Sequence, residues 1–356
     1  MNSELEKICL DGTNLEDKNS NVGGFALHTL KLGLRAYFST YKACRYGLNI
    51  FERNEDEKTK DKNTPDEFFE YSAETILHFH HFTELIFKDI LRTEHPLLAD
   101  TAPTKPIVMK KLLKGEQLNS EEEAGLRSIE FKETLERLIA LINGEQIQNY
   151  HFYVFISNNK NMLEKLNTLR NRIWHRGKFI LRYDSLDKFV CQYFLPFLRE
   201  ILKLDKYNNH EINWKYRPLK IDFDPLDYLY EQRDQYDVGK FSFAKELGRA
   251  AYENPLVNAD YPLFKIHNEL ERHKSKRIAE IETTNKSLIY ECPVCGSNSL
   301  VLSDDAETQN QDGDSQTFWF TWKAKCTCCT FEIYNELKNG KDYGIPIEDY
   351  WIKEKL

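Results

Sequence analysis

The feature that most constrains this chain is a pair of cysteine knuckles near its end, Cys292-Pro-Val-Cys295-Gly296 and Cys326-Thr-Cys-Cys329. A two-residue gap lets both thiolates of a knuckle face one ion, and the glycine permits the tight turn that aims backbone amides at sulfur. The spacing predicts one structural Zn²⁺ per chain on Cys292, Cys295, Cys326 and Cys329, with no open position for catalysis. Cys328 offers a competing Cys326/Cys328 pairing, but the two-residue gap is the commoner knuckle. Residues 296–325 separate the knuckles, longer than usual, and the excess is the polar insert 303–316. Leu300–Leu302 and Phe318–Trp322 flank it as expected strands, so 287–356 reads as a zinc ribbon domain.

Cysteine placement also speaks to compartment. Of eight cysteines, five crowd into 292–329, unlike a disulfide framework and typical of metal binding in a reducing setting. Nothing near Met1 resembles an export signal and no apolar run is long enough to cross a bilayer, so a soluble cytoplasmic protein with no membrane partner is expected. The net charge of -8 excludes a polycation that coats nucleic acid, so any RNA contact must be local. The insert carries Asp304, Asp305, Glu307, Asp312 and Asp314, and such an acidic face favours a protein partner over phosphates.

A chain of 356 residues with 41% hydrophobic content is expected to hold more than one domain. Residues 1–22 are polar and expected to be mobile. Helical periodicity runs from Phe25 to about Phe51, from Glu67 to Arg92, from a capping box at Ser120/Glu123 through Ile142, and from Asn158 to Arg176. Gly177 ends the last of these, and Asp184 opens another helix with a kink at Pro196. The charged block 52–68 and the segment 100–119 read as loops. Residues 206–286 form a connecting region of irregular and helical stretches, leaving 23–205 as the main helical domain. The fold class is mainly α with a small C-terminal β ribbon.

Within NNKNMLEKLNTLRNRIWHRG, Met162, Leu166, Leu169 and Ile173 line one side of a helix, while Asn171 and His175 share the opposite face and Arg170 a flank. An exposed Trp174 beside these polar groups points to a face covered by another subunit.

Arg170-Asn171-x-x-x-His175 resembles the R-x4-6-H motif of the HEPN superfamily of helical-bundle ribonucleases, whose arginine is also followed by a polar residue. The region 67–205 is similar to that bundle in size and helix order, and Glu84 sits in a segment resembling the family's Glu-bearing helix. The resemblance implies a HEPN-like bundle and a metal-independent endoribonuclease whose composite site forms where two motifs meet across a homodimer. It implies His175 as acid/base, Arg170 as phosphate and transition-state stabiliser, Asn171 as the orienting residue and Glu84 as a holder of Arg170. Toxins and antiviral defence effectors that halt translation share this resemblance, which makes the ribbon a sensor for a foreign (phage) trigger protein. The Tyr that follows two residues after His in one toxin branch is Gly177 here, so silencing by its modification has no acceptor.

The chemistry suits the residues. An RNA 2′-hydroxyl that attacks its neighbouring phosphate needs a base, an acid and a cation for the phosphorane, which imidazole and guanidinium supply. Arg172, Arg176, Lys178 and Arg182 form a basic run expected to grip the RNA backbone, or a solvated surface. His78-Phe-His80-His81 lacks a third ligand at helical spacing and reads as packed or surface histidines. A non-catalytic oligomerising adaptor with a protein-binding ribbon is the alternative function.

Overall fold

A computed structural model describes residues 22–52, 56–101, 103–119, 122–123, 125–257, 261–283, 289–311, 314–351 and 353–355. Residues 1–21 of the segment expected to be mobile, Ser120 of the expected capping box, and Asp312 lie outside these, while Val22 opens the first helix. The described chain is mainly helical and ends in a small antiparallel sheet. Its longer elements are α1 (Val22–Cys44), α2 (Asp66–Glu94), α3 (Phe131–Asn143), α4 (Lys160–Arg176), α5 (Tyr183–Lys188), a π-helical turn (Phe189–Phe194), α6 (Leu195–Lys203), α7 (Val238–Glu253) and α8 (Pro262–Glu282). The strands are β1 (Ile289–Glu291), β2 (Asn298–Gln311), β3 (Asp314–Cys326), β4 (Glu332–Tyr334) and β5 (Lys353–Lys355).

Several boundaries differ from the periodicity for physical reasons. The first helix stops at Cys44, and a turn over Gly47 restarts the chain as Leu48–Glu52. The charged block is a short helix, Glu57–Asn63, because the Asp56 carboxylate caps it by accepting from Thr59 N at 3.0 Å and Thr59 Oγ1 at 3.0 Å. Residues 100–119 include the helix Pro106–Leu113, opened by a proline whose missing N–H needs no partner there. The capping box falls one residue earlier than expected: Glu122 N donates to Asn119 Oδ1 at 2.9 Å and Asn119 N to Glu122 Oε2 at 3.0 Å, and α3 begins only at Phe131. Pro196 cannot donate into the preceding turn, and the chain opens into the π turn immediately before it, with Leu195 N–H reaching Val190 O.

Internal contacts divide the chain into two compact units that each draw on separate stretches of sequence. The first holds the described residues through Gly33, Ile76–Phe179 and Phe197–Trp214; the second holds Leu34–Thr75, Ile180–Pro196 and Lys215 onward.

In the first unit, Phe79, Phe82, Ile86 and Phe87 of α2 are buried with Leu135 and Leu138 of α3 and Leu163 and Leu166 of α4. Phe131 stacks near Phe87 at 6.0 Å between ring centroids, and Phe87 meets Phe197 edge-on at 6.2 Å. The Cβ that any other residue would carry at Gly33 lies 2.6 Å from the Phe79 ring, so α1 approaches α2 only because that position is glycine.

The second unit surrounds α7, which is buried on every side from Val238 to Ala251 apart from Lys240. Burial extends to charge. Lys245 is fully buried, donates to Asp187 at 2.9 and 3.1 Å and to Thr40 Oγ1 at 3.2 Å, and its ammonium lies 3.4 Å from the Tyr183 ring centroid. The sheet order is β1-β2-β3-β4, with β5 beside β3. The described residues of the polar insert are strand: β2 and β3 pair from Leu300↔Cys326 out to Gln311↔Asp314. Arg45 at the end of α1 ties down β4 through Glu332 at 2.6 Å.

Candidate functional site

Two places gather chemistry-bearing side chains. The first is an open pocket of about 640 Å³ in the first unit, walled by α2, α4 and the first turn of α3, and its size suits a nucleotide-sized ligand. Helix α4 enters with Met162, Leu163 and Leu166 buried, and its later turns emerge until Trp174 stands 64% exposed. Leu163 therefore belongs to the core side of the helix. Gly177, left-handed at φ 59°, donates to Ile173 O at 3.0 Å and stops the helix one turn past Ile173.

On that emerging end, Arg170 Nη1 donates to Asn171 Oδ1 at 2.9 Å and meets His175 Nε2 at 3.2 Å. A guanidinium has no acceptor, so in this contact Nε2 offers its lone pair. All three side chains line the pocket. In this contact the imidazole's acceptor nitrogen is occupied by Arg170, so it becomes a proton acceptor when the guanidinium turns to a phosphate.

The floor comes from α2 and α3. His80 is 4% exposed, its Nε2 lies 3.0 Å from Asn167 Oδ1, and its ring packs on Phe131 at 4.3 Å between centroids. Burial above all, with the charges of Arg170 and His81, lowers its pKa to about 4 against the opposing pull of Glu84 and of the Asn167 bond. It is neutral at neutral pH. Since the Asn167 oxygen accepts, Nε2 carries the proton and Nδ1 the lone pair.

Glu84 does not reach Arg170 in the described contacts. It pairs with Lys88 one turn on and lies 3.9 Å from His80 Nδ1, so it supports the floor and not the guanidinium. The basic run divides. Arg172 and Arg176 line the pocket, with Arg172 stacked on Phe179 at 3.5 Å, and Lys178 is exposed. Arg182 is in the second unit, held by Asp61 at 2.7 and 3.1 Å and by Glu57 at 3.3 Å, and is not free to grip a backbone.

His80, Asn167 and Phe131 were missed by sequence reasoning. Polar residues at every fourth position, Asn167-Asn171-His175 on α4 and His80-Glu84-Lys88 on α2, were the available signal, because such spacing keeps them near one face.

The second place is in the second unit. The sulfurs of Cys292, Cys295, Cys326 and Cys329 are buried and lie within 4.8 Å of one another. The pairs Cys292–Cys329 and Cys295–Cys326 stand at 3.5 and 3.7 Å, close to the edge of roughly 3.8 Å expected for a tetrahedron with metal–sulfur bonds near 2.3 Å. The four thiolates are thus positioned to hold a metal ion. Cys328 is buried but outside the cluster; its N–H points at Cys326 Sγ from 3.4 Å, as knuckle geometry requires. Each knuckle ends in a left-handed residue, Gly296 at φ 65° and Thr330 at φ 63°. A β-branched residue is costly there, and the Arg249 guanidinium holds it by donating to Thr330 O and, at 3.1 Å, to Thr330 Oγ1.

Compared with family models, curated proteins and solved structures, the chain has no significant match.

Proposed function

We propose that the chain is an endoribonuclease that breaks RNA through attack of the 2′-hydroxyl on the adjacent phosphate, with the pocket of α2 and α4 as its active site. The observation that carries this reading is the Arg170 guanidinium bridging Asn171 and the Nε2 of His175 within one open pocket. Arg170 turns to the phosphate and frees Nε2, His175 takes the 2′-hydroxyl proton there as the oxygen bonds to phosphorus, the bond to the 5′-oxygen breaks, and a proton is delivered to that leaving oxygen. The products are a 2′,3′-cyclic phosphate and a 5′-hydroxyl, and the chemistry needs no metal. Arg170 stabilises the charge that builds on the phosphorane, Asn171 keeps its fork in place, and Arg172 and Arg176 hold flanking phosphates.

One imidazole cannot be base and acid in the same instant. The His175 of a second copy, brought across the face that exposes Trp174, serves as the acid, which makes the active form a homodimer and the helical unit a HEPN-like bundle. In the same reading Zn²⁺ on the four cysteines staples the sheet, and the ribbon senses a trigger protein in a defence or toxin role in the cytoplasm.

RNA degradation by the parent, Arg170→Ala and His175→Ala tests the assignment. Loss of about a hundredfold or more in each folded variant is expected from removing an acid/base or charge-stabilising group. Equal cleavage by all three, or none by the parent, would end it.

A further inference from the structure

We propose that His80 is a positioning residue of this site, holding Asn167 and through it the turn of α4 that presents Arg170 and Asn171; the inference rests on the ribonuclease reading above. His80 is the middle member of the His78-Phe-His80-His81 run, and it is the one turned to the pocket. Its Nε2–H donates to Asn167 Oδ1 at 3.0 Å, a bond between α2 and α4. Asn167 precedes Arg170 by three residues and Asn171 by four, so all three project from one face of adjoining turns.

Packing fixes the imidazole from both sides. Phe131 covers one ring face at 4.3 Å, and Glu84 lies 3.9 Å from Nδ1 while paired to Lys88. A buried imidazole that served only to fill space could be Phe or Leu without burying a polar ring against Phe131. Its bond instead secures the last buried turn before α4 emerges into solvent. Without that anchor the guanidinium and imidazole are free to drift, and small displacements of reacting groups are expensive in rate.

The test compares His80→Phe, which keeps the ring volume and removes the donor, with His80→Gln, whose side-chain amide restores a donor near the Nε2 position. We expect kcat to fall about tenfold or more in His80→Phe with KM little changed, and to return within about threefold of the parent in His80→Gln. Asn167→Leu is expected to match His80→Phe, and the double variant to be no worse than either, as for two ends of one bond. A folded His80→Phe with parental kcat, beside dead Arg170→Ala and His175→Ala, overturns this inference and leaves the active site standing. Equal loss in His80→Gln and His80→Phe also overturns it. A parent that does not cleave RNA removes the ribonuclease reading and this inference together.

Discussion

The four-cysteine cluster and the Arg170 pocket both begin as short motifs, but they are built in opposite ways. The cluster is closed: its sulfurs are buried, two of its edges lie near those of a tetrahedral site, and each knuckle ends in a left-handed residue beside a ligand, the second held by Arg249. The pocket is open, its motif stands on a helix end that leaves the core, and its floor is supplied by α2 and α3, many residues away in sequence. A site that must hold an ion can be finished locally. A site that must admit a polymer leaves its reactive groups exposed and relies on distant packing to aim them.

That contrast is broken or sharpened first at the cluster. Cys326→Ser, or removal of the ion by a chelator, is expected to unfold the C-terminal sheet, because metal binding of this kind carries on the order of 10 kcal/mol. Thermal unfolding with elemental analysis checks this. Purified chain with no bound metal and an unchanged melting temperature would show the cluster to be only a group of thiols.

The next largest effect lies in the same unit. Lys245→Met leaves the Asp187 carboxylate buried without its cation and should destabilise by about 3–5 kcal/mol, and adding Asp187→Leu should recover most of it. Denaturant titration measures both. A single variant as stable as the parent would mean the ion pair contributes nothing to this unit.

In the pocket, His80 gives stability a pH dependence of known sign. Its folded pKa of about 4 lies below the ordinary 6.5, so the unfolded chain binds the proton more readily. Its contribution is fully present above about pH 6.5 and is lost as the pH falls toward 4, by about 3 kcal/mol in total. His80→Gln should flatten that part of the curve. An unchanged slope would place the acid sensitivity elsewhere.

The smallest effects concern the basic run. Arg172→Ala and Arg176→Ala should each weaken RNA binding several-fold and reduce its salt dependence, while Arg182→Ala should alter it by less than about twofold. Fluorescence anisotropy across a salt series separates them. Equal losses at all three positions would mean Arg182 leaves Asp61 and Glu57 to join the RNA.

What the sequence made legible follows the same division. The cysteine spacing and the Gly177 stop are local and were read correctly in position, whereas on α4 Leu169 and Ile173 of the expected core side are only partly buried and Leu163 is buried in addition. The Glu57–Asn63 helix was hidden because a run of charge resembles a loop unless the Asp56–Thr59 cap is noticed. The insert 303–316 gave no strand signal, since its almost wholly polar sequence lacks the alternation that marks a half-buried strand. The His80–Asn167 bond spans 87 positions and depends on how α2 packs on α4, which no spacing rule encodes. Glu84 was placed on the correct helix, but its partner is decided by Lys88 one turn away.

The central claim is that the RNA supplies its own nucleophile in the Arg170–His175 pocket. Cleavage of an oligoribonucleotide carrying one 2′-deoxy residue at a mapped cut site, with the ends identified by mass spectrometry, tests it most directly. The account predicts that the all-ribose strand yields 2′,3′-cyclic phosphate and 5′-hydroxyl ends, and that the deoxy position is not cut. Scission at the deoxy position, or 3′-hydroxyl and 5′-phosphate ends, would contradict it.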